Sequence, residues 1–225
     1  MKRFQRNNFA YLLGGLLSLL TLLPGLHLAL GETVEIDVMR PLMLVAFSFF
    51  TMVSVWSLSR DEKIFRYGLA IAVLNVALAV AAVFFPTRLL ELCAALSVIA
   101  FSCMSCYIAG RHVFSFRDTD ANSLIGAVCV YLLLGLIWAL VYAALAILWP
   151  EGAFQGLVFN AKILQFDSYL YFSFTTLTTA GYGDITPVNP LLRTIAYMEM
   201  IVGQFYMAIL VSGLVAHFMG LRMSK

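Results

Sequence analysis

Six apolar stretches, each about 20 residues or longer, dominate this chain: about 9–30, 41–59, 65–86, 88–110, 124–149 and 191–220. A helix of that length crosses the hydrocarbon core of a bilayer. In lipid every backbone polar group must be satisfied internally, which leaves helices as the available solution for such runs. A shorter apolar stretch, about 167–178, cannot cross. Composition agrees: 62% of residues are hydrophobic and 12% charged, against about 25% charged in soluble domains. The expected fold class is an all-α membrane protein with six transmembrane helices and one re-entrant half-helix. Little is left for a soluble domain.

Basic residues favour the cytoplasmic side of short loops. With the N-terminus inside, ten of the fourteen Lys/Arg fall inside: Lys2, Arg3, Arg6, Arg60, Lys63, Arg66, Arg111, Arg117, Arg222 and Lys225. Four acidic residues join them, Asp61, Glu62, Asp118 and Asp120. The split predicts a multi-pass protein of the cell membrane with both termini cytoplasmic. A basic start followed by an apolar run also fits a secretory signal, but the first run is longer than a signal core and five more follow. The four cysteines, Cys93, Cys103, Cys106 and Cys129, all fall in predicted spans. Cys103 and Cys106 form a C-x-x-C with no nearby ligand, which reads as apolar packing.

The chain divides into residues 1–120, four predicted helices with short links, and 121–225, two helices bracketing the half-helix. Trp149 and Pro150 end the fifth span at the outer interface, and 151–166 form a loop. Asp167 and Ser168 offer an N-cap for a helix from Ser168 to about Thr178. After it comes Thr-Thr-Leu-Thr-Thr-Ala-Gly-Tyr-Gly-Asp, residues 175–184. In this order Thr179, Ala180, Gly181, Tyr182 and Gly183 can lay their carbonyls along one axis. The glycines take backbone angles that a Cβ makes costly.

This unit, outer helix, half-helix, T-x-G-Y-G-D and inner helix over about residues 124–220, resembles the potassium channels. The front half is similar to their six-span class in helix count only. The resemblance implies a pore helix and selectivity filter, a homotetramer with one filter strand from each subunit, and K+ as the permeant ion, whose water shell is replaced by rings of carbonyl oxygens. K+ would be held by Thr179, Ala180, Gly181 and Tyr182, with the Thr179 hydroxyl and carbonyl at the innermost site. Gly183 would turn the strand outward. The Tyr182 ring would brace the filter against Tyr171 and Phe172, and Asp184 would hydrogen-bond behind it, to the Tyr171 hydroxyl. Four pore-helix C-termini, each partly negative, would favour a cation in the central cavity.

Three positions depart from the family pattern. Ala180 stands where Val or Ile is common, which removes volume behind the filter. Thr175 stands where some members carry an acid, so no carboxyl pair with Asp184 forms. The fourth span carries Arg88 and Glu91 at one end and Arg111 at the other, with no gating charges between them. Each charge moved contributes only about 2.3 kcal/mol per 100 mV, so little intrinsic voltage sensing is expected.

The sixth span carries Gly203, a hinge or a close-packing point. Met207, Val211 and Val215 follow at four-residue spacing, as a greasy constriction of the pore or as a lipid-facing surface. Glu199 is an ionisable residue within a span and marks function by default. It sits behind the filter accepting hydrogen bonds from Thr175 or Thr176, or it forms a cavity-facing ring of charge. Asn75 is expected to bond between front-half helices, and His27 to sit at the interface. The expected function is passive, K+-selective conduction with no catalysis and no cofactor. The expected partners are other copies of the chain and membrane lipids, not nucleic acid. A less selective cation channel and an ion-transporter subunit are the alternatives. A thiol oxidoreductase using Cys103 and Cys106 lacks a partner His, a nucleotide loop and a soluble domain. The end at Lys225 suggests no cytoplasmic ligand-binding domain.

Overall fold

The computed structural model describes residues 9–30, 47, 50, 51, 54, 62–85, 87–113, 121–149, 153–157 and 166–223. Its helices are α1 (Phe9–Leu30), α2 (Glu62–Phe84), α3 (Arg88–Val113), α4 (Ala121–Leu148), α5 (Phe166–Leu177) and α6 (Pro190–Met223). Two short strands, β1 (Phe154–Gln155) and β2 (Thr186–Pro187), pair antiparallel, with Phe154 opposite Pro187 and Gln155 opposite Thr186. Most of the predicted span 41–59 and of the loop 151–166 lies outside the described residues.

Two helical stretches among the described residues are long and apolar enough to cross a membrane, Arg88–Arg111 and Asn122–Leu148. Phe9–Thr21 and Arg66–Leu78 are shorter apolar helices. The expectation of six crossings therefore reaches beyond what these lengths establish.

α4 organises the molecule. It packs against α1, α3, α5 and α6, so both halves of the chain meet on one helix. Cys129, Leu133, Leu136 and Ala139 of α4 are fully buried. They share a core with Leu12 and Leu16 of α1, Phe101 of α3 and Tyr206 of α6. Tyr206 fixes the α6 contact in register: its hydroxyl donates to the Ala127 carbonyl at 2.5 Å. Phe47 meets Phe166 edge-on with ring centroids 5.4 Å apart, so the front half also touches the start of α5.

Front-half helices are joined by small polar groups. The Ser97 hydroxyl donates to Asn75 Oδ1, tying α3 to α2. Ser54 donates to Ser105 at 3.2 Å. Thr87 caps α3: its Oγ1 accepts from the Leu90 N–H at 3.4 Å, and its carbonyl from the Glu91 N–H at 3.0 Å. The His27 side chain lies outside the described residues.

A second, aromatic core lies under the N-terminal half of α5. Tyr142, Phe154, Tyr169 and Phe172 cluster with Leu192 and Ala196. The Tyr142 ring stands edge-on to Phe172 at 5.0 Å and to Phe154 at 5.8 Å. Phe154 enters this core from β1, so the strand pair anchors the loop after α4 to the chain beyond residue 184.

Candidate functional site: the 178–184 segment and its supports

α5 begins at Phe166, two residues before the predicted start, with Asp167 in its first turn. The Asp167 carboxylate accepts from the Ser168 N–H at 2.9 Å. Its apolar face, Phe166, Tyr169, Leu170, Phe172 and Leu177, is buried, which fixes the direction in which its C-terminus points. The chain leaves that C-terminus through two short turns. The Thr179 N–H donates to the Thr176 carbonyl at 2.9 Å, and the Gly181 N–H to the Thr175 carbonyl at 3.1 Å.

The backbone then alternates in hand. Thr179, Gly181 and Gly183 have φ of 58°, 52° and 79°, and Thr179 is the one non-glycine with positive φ among the described residues. Alternation of this kind turns successive carbonyls toward one side. Residues 178–184 are all exposed in the single chain.

Each end of the segment is held. At the outer end the Tyr171 hydroxyl donates to Asp184 Oδ2 at 2.7 Å. Oδ1 accepts from the Ile185 N–H at 3.0 Å. The hydrogen bond from Tyr171 draws the Asp184 carboxyl below the usual carboxylate range. Tyr182 stacks on Tyr171, centroids 6.4 Å apart and planes 14° from parallel. Phe172, expected beside Tyr182, faces the other way. It is buried against Tyr142 and Phe154, because residues adjacent on a helix point about 100° apart. Asn189 Oδ1 accepts from the Leu191 N–H at 2.8 Å and caps α6. Arg193 Nε donates to the Pro187 carbonyl at 2.9 Å.

At the inner end α6 comes against α5. A Cβ on Gly203 would lie 2.1 Å from the Leu177 carbonyl oxygen, so Gly203 is a point of close approach. α6 runs through it as one continuous helix. Gln204 is the next residue. Its Nε2 donates to Thr179 Oγ1 at 2.8 Å.

Glu199 is fully buried behind α5. Its partners are not Thr175 or Thr176. Thr175 Oγ1 turns back to its own helix, donating to the Phe172 carbonyl at 3.0 Å, and Thr176 is buried one turn beyond Ser173. Instead Tyr142 of α4 donates to Glu199 Oε2 at 2.6 Å. Ser173 Oγ lies 2.5 Å from Glu199 Oε1 and 2.8 Å from the Gly135 carbonyl. One hydroxyl carries one hydrogen, and a backbone carbonyl only accepts. The three contacts close together when Ser173 donates to Gly135 and a protonated Glu199 carboxyl donates to Ser173. The network then joins α4, α5 and α6 with every buried polar atom paired.

Met207 is 44% exposed on α6. The side chains of Val211 and Val215, expected to continue its stripe, lie outside the described residues, although their backbone is helical. Sequence reasoning missed Gln204, Ser173, Tyr142 and the strand pair. A Gln directly after Gly203 in an otherwise apolar span was the available signal for the first.

Residues 128–219 match the family model described as "Ion channel". The chain carries an ion-channel domain. Over 53 residues it is 40% identical to the "Two pore potassium channel c" of Oryza sativa subsp. japonica, covering 24% of this chain and 12% of that one. Over 89 residues it is 29% identical to the "Inward rectifier potassium channel Kirbac3.1" of Paramagnetospirillum magnetotacticum, covering 40% of this chain and 27% of that one. The matched stretches thus span about a quarter or less of these curated relatives. No solved structure matches the chain significantly. The similarities support a potassium-channel family, and they point to a channel and not an enzyme. Together with the apolar helices, they point to a membrane protein.

Proposed function

We propose that this chain is one subunit of a potassium-selective channel that conducts K+ passively across the cell membrane. The observation that carries this reading is the alternating hand of residues 179–183, with positive φ at Thr179, Gly181 and Gly183. It lies at the C-terminal end of a short helix whose partial charge favours cations. The domain match and the names of the two relatives support it. K+ is held by the carbonyls of Thr179, Ala180, Gly181 and Tyr182 and by the Thr179 hydroxyl. No cofactor takes part.

One chain provides one wall of a pore, so the channel is a homotetramer in lipid. Exposure of Tyr182 at 74% and Phe205 at 65% supports this, since both large rings would be covered by neighbouring copies or lipid. Residues 121–225 form the pore unit and 1–120 a frame around it, with six crossings and both termini cytoplasmic. The interior of α3 carries no Arg or Lys between Arg88 and Arg111, so conduction depends little on voltage. Met207, with Val211 and Val215, lines the inner pore.

The test is reconstitution in liposomes and planar bilayers. K+ flux without energy input, blocked by Ba2+, with a reversal potential that follows K+ over Na+, is the expected result. Equal K+ and Na+ permeation would replace it with a less selective cation channel. Flux that needs a coupled ion or energy source would replace it with a transporter subunit. A conductance rising with three or more gating charges per subunit would overturn the voltage statement.

A further inference from the structure

We infer that Gln204 is a positioning residue for the innermost cation site, setting its affinity through the hydroxyl of Thr179. The inference rests on the channel reading above.

Two independent features meet at Thr179. The first is its backbone. A β-branched residue at positive φ is an outlier, costly enough to persist only where the surroundings over-determine it. Thr179 stands at φ 58°. The second is its side chain, whose Oγ1 accepts from Gln204 Nε2 at 2.8 Å. Together with the Thr179 N–H bond to the Thr176 carbonyl, the residue is tied on both sides of its Cα, once to α5 and once to α6.

The polarity of the contact matters. A threonine hydroxyl has one hydrogen and two acceptor lone pairs. The amide NH2 only donates, so it occupies one lone pair and leaves the other free. Thr179 is exposed, as are its neighbours through Asp184, so the free lone pair can serve a cation. A partner that accepted would instead take the hydroxyl hydrogen and leave the orientation of both lone pairs unset. Gln204 reaches Thr179 because Gly203 lets α6 approach the Leu177 carbonyl. The inner-helix glycine and glutamine therefore work as a pair, one giving distance and the other orientation.

The probe is Ba2+ applied from the cytoplasmic side in planar bilayers, read as half-blocking concentration in channels that still conduct. Gln204→Met keeps length and removes the donor. It is expected to weaken block about tenfold, the order of one lost hydrogen bond, at unchanged oligomer size. Gln204→Glu keeps shape and adds a carboxylate beside the hydroxyl, and is expected to tighten block. A purely structural role would lower the number of working channels without moving the half-block. Should Gln204→Met not assemble, Gln204→Glu decides. Unchanged half-block in whichever variants assemble overturns the inference and leaves the channel reading standing. Absence of K+ flux in the unaltered protein overturns both.

Discussion

The two ends of the 178–184 segment are held by the same kinds of contact set in different surroundings. Each end has a glycine against a backbone carbonyl and a side-chain hydrogen bond. At the inner end these are Gly203 against Leu177 and Gln204 to Thr179. At the outer end they are Gly156, whose Cβ would lie 1.8 Å from the Asp184 carbonyl oxygen, and Tyr171 to Asp184. The inner contacts come from α6, a continuous 34-residue helix. The outer ones come from a loop, a two-residue strand pair and an exposed carboxylate. A helix interior shifts only as a unit, whereas a short strand pair gives way locally. The inner end is therefore expected to be the stiffer of the two.

The largest effect is expected at Glu199, whose network fixes α4, α5 and α6 around the segment. Glu199→Ala leaves the Tyr142 hydroxyl without its buried partner, about 1–3 kcal/mol for an unsatisfied group, and removes the contact that ties α6 to Ser173. The expected result is loss of assembled protein or a clearly lower midpoint of thermal unfolding in detergent. Glu199→Gln is expected to stay near the unaltered protein. Its NH2 donates to Ser173 and its carbonyl accepts from Tyr142, as the protonated acid does. A Gln variant as damaged as the Ala variant would mean that the carboxyl works as an anion, and the hydrogen count at Ser173 would be wrong.

Next come the two glycines, which test the comparison directly. Gly203→Ala forces a methyl into the Leu177 carbonyl between two helices, where overpacking costs about 1–3 kcal/mol. Gly156→Ala meets a closer oxygen and a φ of 89°, but beside a two-residue strand pair rather than between two long helices. The prediction is a larger fall in thermal midpoint for Gly203→Ala. For Gly156→Ala the main change should be in the stability of conduction over time. The reverse order of midpoints would break the claim that the inner end is the stiffer.

What was legible in the sequence follows from what is local. Each helix named above coincides with an apolar run to within a few residues, because burial and length write themselves into composition. The Tyr171–Asp184 bond was expected only through the resemblance to the potassium channels, and the structure has it at 2.7 Å. The partners of Glu199 were not legible. Choosing Ser173 over Thr175 or Thr176 depends on the rotation of α5, which the packing of Phe172 and Tyr169 into the aromatic core decides. Tyr142 lies 57 residues from Glu199, and no periodicity links them. The strand pair was missed for a similar reason: two residues of β-structure carry no alternation to read, and only the backbone contact at Gly156 explains why the chain pairs there. Gln204 gains its role only from the close approach at Gly203, which puts it beside Thr179.

The smallest effect is expected at Tyr171, and it carries a sign. The Asp184 carboxyl is drawn below its ordinary range chiefly by the Tyr171 hydroxyl. A carboxylate depressed in the folded state contributes stability above its unfolded pKa. That contribution is lost as pH falls through the folded value. Tyr171→Phe removes the bond while keeping the ring that stacks on Tyr182. Both groups are exposed, so the change in thermal midpoint at neutral pH is expected to be small, with conduction lost somewhat faster over time. The gap between variant and unaltered protein should close on acidification below the ordinary carboxylate range, where the protonated acid no longer draws on the tyrosine as an anion does. A gap independent of pH down to that range would show that Tyr171 acts by packing alone. The outer end would then be held by the strand pair and Gly156, without a titratable clamp.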